Sequence, residues 1–200
     1  MLLVIDSATA ACSAALIGPE GDVIDERHEI VGRGHAERLL PMIAELLGGC
    51  VPASILVDCG PGSFTGVRVG LAAAHGLAIG WKVPLAGYSS LALVAAASGE
   101  TEVAVALLGG HGEIFVQSYG GDPIAALDEL RSLSPEQAAA SVSAGLVLGS
   151  GAEALVAARG SGRAVDALPR AADARLLPPA LRALPLRPIY GRAPDARPMA

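Results

Sequence analysis

Aromatic residues, cysteines and long apolar runs are all scarce in this chain, and each shortage closes a class of function. Phe, Trp and Tyr make up 3% of the 200 residues. That is too few for the stacking platforms and basic-aromatic surfaces that grip RNA, so strong RNA binding by the chain alone is not expected. Three cysteines, Cys12, Cys50 and Cys59, are scattered and never at Cys-x-x-Cys spacing. A disulfide framework and a zinc or redox pair are thereby excluded, and a reducing cytoplasm is the expected setting. The most apolar stretch, Val69 to Trp81, contains His75 and follows Arg68. It is too short to cross about 30 Å of hydrocarbon and reads as a buried helix, so no membrane role is expected. Met1 to Asp6 is apolar but has neither a basic lead nor a small-residue cleavage site, so it reads as a strand rather than a signal peptide.

Hydrophobic residues account for 52% of the chain, enough for one sizeable core or two small ones. Charge is divided unevenly. Residues 1–158 hold 6 basic and 17 acidic groups, a net of −11, whereas 159–200 hold 8 arginines and 3 aspartates, a net of +5. A basic tail can serve nucleic acid or an acidic partner. Arginines spread along a Pro- and Ala-rich end (Arg170, Arg175, Arg182, Arg187, Arg192, Arg197) are more simply read as solvating it.

The opening reads as a three-strand meander: Leu2–Asp6, Ala11–Ile17 and Asp22–Val31, with a hairpin turn at Gly18-Pro19-Glu20-Gly21. His35–Leu47 follows with Ala36, Leu39, Leu40, Ile43 and Leu47 on one helical stripe, stopped by Gly48-Gly49. Pro41 within it removes a hydrogen bond and should kink the helix unless the regular part begins near Arg38. A buried strand, Ser54–Asp58, leads to a glycine turn and a helix ending at Trp81, then a strand at Pro84–Gly87 and a helix at Ser89–Ala97. From Glu102 a second half restarts with strands at Val103–Leu108, Glu113–Tyr119 and Ile124–Leu130. A helix opens at Ser134-Pro135-Glu136-Gln137, with a serine cap and a proline in its first turn. Leu146–Leu148 is a further strand. This order of two strand-then-helix halves predicts an α/β protein of the actin-like, ribonuclease-H-like architecture with two lobes.

The turn "CGPGSFTG" at Cys59–Gly66 is placed like a phosphate loop. Its glycines permit a tight backbone, and Ser63 or Thr65 can cap the helix. A nucleotide-triphosphate loop, however, needs a lysine and then a hydroxyl after its last glycine, and here Gly66 is followed by Val67-Arg68-Val69. What the helix offers instead is a row of small residues at Gly66, Gly70, Ala74 and Ala78, suited to close packing against another helix, either within the chain or on a partner. On the partner reading, Gly70→Leu leaves the fold intact and abolishes association.

"VIDSATAACSAAL", "GHAERLLPMI", "GPGSFTGVRVGLAAAHGLAIGWKVPLAGYSSL" and the closing "RPIYGRAPDA" together resemble the bacterial TsaB (YeaZ) family of tRNA threonylcarbamoyladenosine biosynthesis proteins. The likeness covers the first 95 residues well and the rest patchily. It implies a non-catalytic subunit, without cofactor or metal, of the complex that adds a threonylcarbamoyl group to the adenosine next to the tRNA anticodon. The implied partners are the TsaD paralogue, bound as a heterodimer through the N-terminal helices, the TsaE ATPase in a larger complex, and a second copy when the chain is alone. Contact with tRNA would come only through the complex. The implied interface takes in His35, Glu37, Leu39, Leu40, Ile43 and Leu47 from the first helix, with Phe64, Gly66, Val67, Gly70, Ala74 and Leu77 from the second. Residues 1–100 would form the N-terminal actin-like lobe carrying these helices, and 101–200 a smaller, divergent lobe whose final segment packs back on the first.

The transferase paralogue uses a His-x-x-x-His pair on one helix face to hold its metal. Here His35 is followed by Leu39 at that spacing with only Glu37 nearby, and His28, His75 and His111 have no histidine or cysteine at ligand spacing, which also removes a metalloprotease. Asp6 ends the first strand where actin-like ATPases keep a carboxylate. Leu108-Gly109-Gly110 stands where relatives often have Asp-Ala-Arg, so Asp6 is read as a turn cap through Ser7 and Thr9. Gly191 likewise stands where a bulky residue is usual. The alternative function is an ATP-dependent small-molecule kinase of the same superfamily, with Gly149-Ser150-Gly151 near its adenosine.

Overall fold

The first 88 residues contribute five strands to one sheet: β1 (Leu2–Asp6), β2 (Ala11–Ile17), β3 (Val23–Ile30), β4 (Ser54–Asp58) and β5 (Leu85–Tyr88). The computed structural model describes residues 1–191. Sheet order is β3-β2-β1-β4-β5, antiparallel across the meander and parallel from β1 through β5. The central strands are covered on both faces, which is why β1 and β2 are runs of apolar residues rather than alternating patterns.

Two helices make the crossovers. In α1 (His35–Leu47), Leu39, Met42, Ile43, Leu46 and Leu47 lie on the core side. Left-handed glycines bracket it, Gly34 at φ 108° and Gly48 at φ 54°, a conformation glycine adopts without steric cost. As expected, α1 starts at His35, and it runs as one helix through Pro41 rather than beginning near Arg38. Packing of its apolar stripe and a fork from Arg38 to Glu29 on β3 (2.6 and 2.8 Å) and to Glu45 hold it in place. The second helix, α2 (Phe64–Trp81), packs against α1 and β4. It is not the buried helix its composition suggests, because Ala72, His75, Gly76, Ile79 and Gly80 all face solvent.

The second sheet has the order β11-β10-β6-β7-β8, with β9 also paired to β7. Its strands are β6 (Glu102–Leu108), β7 (Ile114–Gly120), β8 (Ala125–Ala126), β9 (Arg131–Leu133), β10 (Leu146–Leu148) and β11 (Arg163–Val165). The expected strand at Ile124–Leu130 is reduced to a two-residue pairing. The Asp128 carboxylate accepts from the Ser118 amide at 2.8 Å and from its hydroxyl at 3.1 Å. The segment therefore folds around a side chain instead of extending a ladder. Helices α4 (Pro135–Ser141), closed by a Ser134/Gln137 capping box, and α5 (Ala152–Arg159) cover one face of this sheet. Between the sheets lies α3 (Ser90–Ser98), whose Leu91, Leu93 and Val94 join Val4, Ile17, Leu56 and Tyr88 to Val103, Val105, Leu107 and Tyr119 in one apolar cluster.

The tail does more than keep arginines in water. Arg170 pairs with Glu26 on β3 at 2.5 Å, and the Ala171 amide donates to Ser13 Oγ on β2 at 3.0 Å. Arg182 donates to the carbonyls of Leu177 and Arg175 at 2.7 and 2.8 Å. Farther on, the Leu184 amide reaches the Gly87 carbonyl and the Ile189 amide the Cys59 carbonyl. Arg192 and Arg197 lie outside the described residues.

Candidate functional site

The glycine turn before α2 is filled by the chain itself. A Cβ on Gly62 would strike the Ala8 carbonyl oxygen, one on Gly66 the Ser7 carbonyl oxygen, and one on Gly70 would lie 2.5 Å from Ser7 Oγ. Hydrogen bonds seal the approach. The Ser63 amide donates to the Ala8 carbonyl at 2.6 Å, and Ser7 Oγ to the Gly66 carbonyl at 2.9 Å. Ser63 caps α2 by accepting from the Gly66 amide at 3.3 Å. The glycines therefore serve a backbone-to-backbone contact between the β1–β2 turn and α2, and the Gly66/Gly70/Ala74 row read as an interface packs internally.

Beneath this contact is an acid pair that sequence reasoning missed. Asp6 and Asp58 end the adjacent parallel strands β1 and β4, and both are buried. Asp58 accepts from Ser90 Oγ at 2.6 Å and from the Gly60 amide at 2.8 Å. Asp6 accepts from the Tyr88 hydroxyl at 3.0 Å and only weakly from the Ala8 amide at 3.4 Å. Burial raises both carboxyls, Asp58 to about 6 and Asp6 well above its ordinary value, with the neighbouring Asp58 charge adding to the effect at Asp6. Asp58 has the stronger donors, so it carries the charge and Asp6 keeps the proton. Asp6 therefore reaches the turn only through the long contact with the Ala8 amide, not through Ser7, whose hydroxyl goes to Gly66, or Thr9, whose hydroxyl accepts from the Ala11 amide; its main neighbours are Tyr88 and Asp58. The signal available in the sequence was two strand-final acids on strands that the topology makes neighbours.

The remaining residues named for the partner interface divide by exposure. Leu39, Ile43, Leu47, Val67 and Ala74 belong to the core of the first lobe. His35 is buried, with Nε2 hydrogen-bonded to the Ala11 carbonyl at 3.2 Å, which makes it a helix-start residue. Leu77 is half-buried, while Glu37, Leu40 and Phe64 are exposed. The exposed surface of α2 beyond its first turn is made instead by Arg68, Ala72, His75, Gly76, Ile79 and Gly80. Among the described residues no group of three His, Cys, Asp or Glu side chains is placed to hold a metal ion. Buried Cys12 and Cys59 have thiols raised by burial to about 11 and about 12, so neither is a reactive thiolate.

A cleft of about 800 Å³ opens between the two lobes. The β1–β2 turn and the start of α2 form one wall, Leu107 to Gly110, Phe115 and Ser150 the other, and Tyr190 borders it. Both departures from the family pattern fall here. Gly109 and Gly110 line the cleft, and Gly191, at φ 61°, lets the backbone pass the Phe115 ring, whose carbon lies 2.8 Å from a would-be Cβ. The kinase reading needs a carboxylate in this cleft to organise a metal ion, and neither Asp6 nor Asp58 lines it.

Comparison with known proteins accords with this construction. The family model for TsaD, tRNA N6-adenosine threonylcarbamoyltransferase, matches residues 23–170. The Escherichia coli tRNA threonylcarbamoyladenosine biosynthesis protein TsaB is 36% identical over 132 residues, covering 60% of this chain and 55% of that protein. The chain thus matches little more than half the length of that relative. Two Pseudomonas aeruginosa structures superpose on the fold. A protein described as similar to peptidase YEAZ has a TM-score of 0.80 at 29% identity, covering 96% of this chain and 99% of its own. YeaZ itself has a TM-score of 0.72 at 31% identity, covering 86% and 88%. By its 31% identity to YeaZ over 88% of that chain, its fold and its likeness to TsaB, this chain belongs to the TsaB (YeaZ) family.

Proposed function

We propose that the chain is a non-catalytic subunit in tRNA threonylcarbamoyladenosine biosynthesis, binding and activating a TsaD-type transferase that modifies the adenosine next to the anticodon. The observation that carries this reading is the outward face of α2. Ile79 is 77% exposed, with Ala72, Gly76 and Gly80 beside it at helical spacing, and Leu40 on the adjoining α1 is 50% exposed. Apolar helix surface of this kind favours a partner, and its small residues admit a second helix at close range. The covered acid pair supports a role without chemistry, since a carboxylate closed off by backbone serves neither as base nor as metal ligand. The same reading places the TsaE ATPase in a larger assembly, joins two copies through these helices when the transferase is absent, and leaves tRNA contact to the complex. The described helices include none long and apolar enough to cross a membrane, which suits such an assembly.

The test is co-purification with the transferase from the same organism, together with threonylcarbamoyl incorporation into tRNA. Ile79→Asp is expected to lose both while its melting temperature stays within a few degrees of wild type. Retention of both by this variant overturns the reading, and Mg-ATP turnover by the isolated chain would favour the kinase.

A further inference from the structure

We propose that the cleft between the lobes is a binding site for a planar aromatic molecule carrying one negative charge, held without a metal ion. Its volume, about 800 Å³, is that of a small-molecule site. The walls are aromatic and aliphatic, with Phe64, Phe115, Leu107, Leu108 and Tyr190 among them. Phe64 and Leu108 are each 60% exposed, so a ligand ring would gain apolar burial on both sides of the cleft.

Arg68 is the one charged residue among the described lining residues. Its guanidinium carbon lies 3.3 Å from the Phe64 ring centroid, and its Nη2 donates to the Tyr190 hydroxyl at 2.7 Å. The Phe64 and Tyr190 rings stack with centroids 5.8 Å apart. Two segments distant in sequence, the start of α2 and Tyr190, therefore combine to fix the plane of one cation. No carboxylate among the described residues pairs with Arg68, and one hydrogen bond leaves most of the guanidinium donors for an anion.

The same inventory sets the ligand class. A protein holds a divalent ion chiefly through carboxylates, and none of the described lining residues carries one. A metal-bound polyphosphate is therefore a poor match, whereas one carboxylate, sulfonate or phosphate balances one arginine. A ring between Phe64 of the first lobe and Leu108 and Phe115 of the second would touch both, so binding should also raise the melting temperature.

The experiment uses two fluorescent probes on the full chain, the anionic 8-anilinonaphthalene-1-sulfonate and the neutral N-phenyl-1-naphthylamine, with affinity and stoichiometry measured for each. One molecule of the anionic probe is expected to bind. Arg68→Gln should weaken it by about tenfold or more, the loss expected for a charge-assisted contact, while leaving the neutral probe unchanged. Phe64→Ala should weaken both probes, and Arg68→Lys should retain more anionic binding than Arg68→Gln. Ile79→Asp, about three helical turns along α2 from Arg68 and outside the cleft lining, should change neither. Melting curves verify that each variant folds. Equal responses of both probes to Arg68→Gln, loss of binding in Ile79→Asp, or magnesium-dependent displacement by ATP would each overturn the proposal.

Discussion

Helix α2 carries small residues on two sides, and the two sides have opposite neighbours. On the inner side, Gly66 and Gly70 meet the Ser7 carbonyl and hydroxyl so closely that no Cβ fits. On the outer side, a Cβ added to Gly76 or Gly80 meets nothing within 4 Å. A row of small side chains specifies close approach, but what approaches is decided by the rest of the chain. Here the β1–β2 turn claims the inner row and leaves the outer one facing solvent.

The largest effect expected from breaking this contrast is on the inner side. Gly70→Leu should destabilise the fold by about 3 kcal/mol, because the side chain has to displace Ser7 and the turn behind it. Chemical denaturation measures this. A melting curve like the wild type would show that the inner contact is loose.

The acid pair beneath that contact sets the next effect. Both carboxyls have folded pKa values above their unfolded ones, so protonation favours the folded state. Their stabilising contribution is complete below the unfolded value near 3.8 and is lost as pH rises through about 6 for Asp58 and higher for Asp6. Asp6→Asn should therefore stabilise the protein at pH 8 and flatten the fall in melting temperature between pH 5 and 8. A variant less stable than wild type at pH 8 would mean that Asp6 is charged in the fold.

Much of this fold was legible because burial leaves a pattern. The boundaries of β1, β2, β4, β10 and α1 follow directly from apolar runs, helical spacing and flanking glycines. Segments organised by one polar side chain were not legible, as at Asp128, where a carboxylate replaces a strand ladder. The two short 3-10 turns of the tail, Ala171–Leu176 and Pro179–Leu181, were missed for the same reason. They depend on Ser13, Glu26 and Arg182, contacts that no local pattern encodes. At the site, the glycine row was visible but not the identity of its neighbour. Asp58 escaped notice because its meaning comes from standing beside Asp6 in space.

Smaller effects sharpen the comparison. Gly76→Leu should raise stability by about 0.5–1 kcal/mol, the ordinary gain from removing an exposed helical glycine, opposite in sign to the change at Gly70. Arg170→Ala, which removes a partly exposed ion pair to Glu26, should cost only about 0.5 kcal/mol, read as a small drop in denaturation midpoint.

On the proposed function, the outward face of α2 docks the transferase while the inward face belongs to the chain. Gly76→Leu tests it most directly, through the dissociation constant for the TsaD-type partner measured alongside the melting temperature. Affinity is expected to weaken at least about tenfold, worth about 1.4 kcal/mol, in a protein as stable as wild type or more so. Undiminished affinity in that stable variant would contradict it.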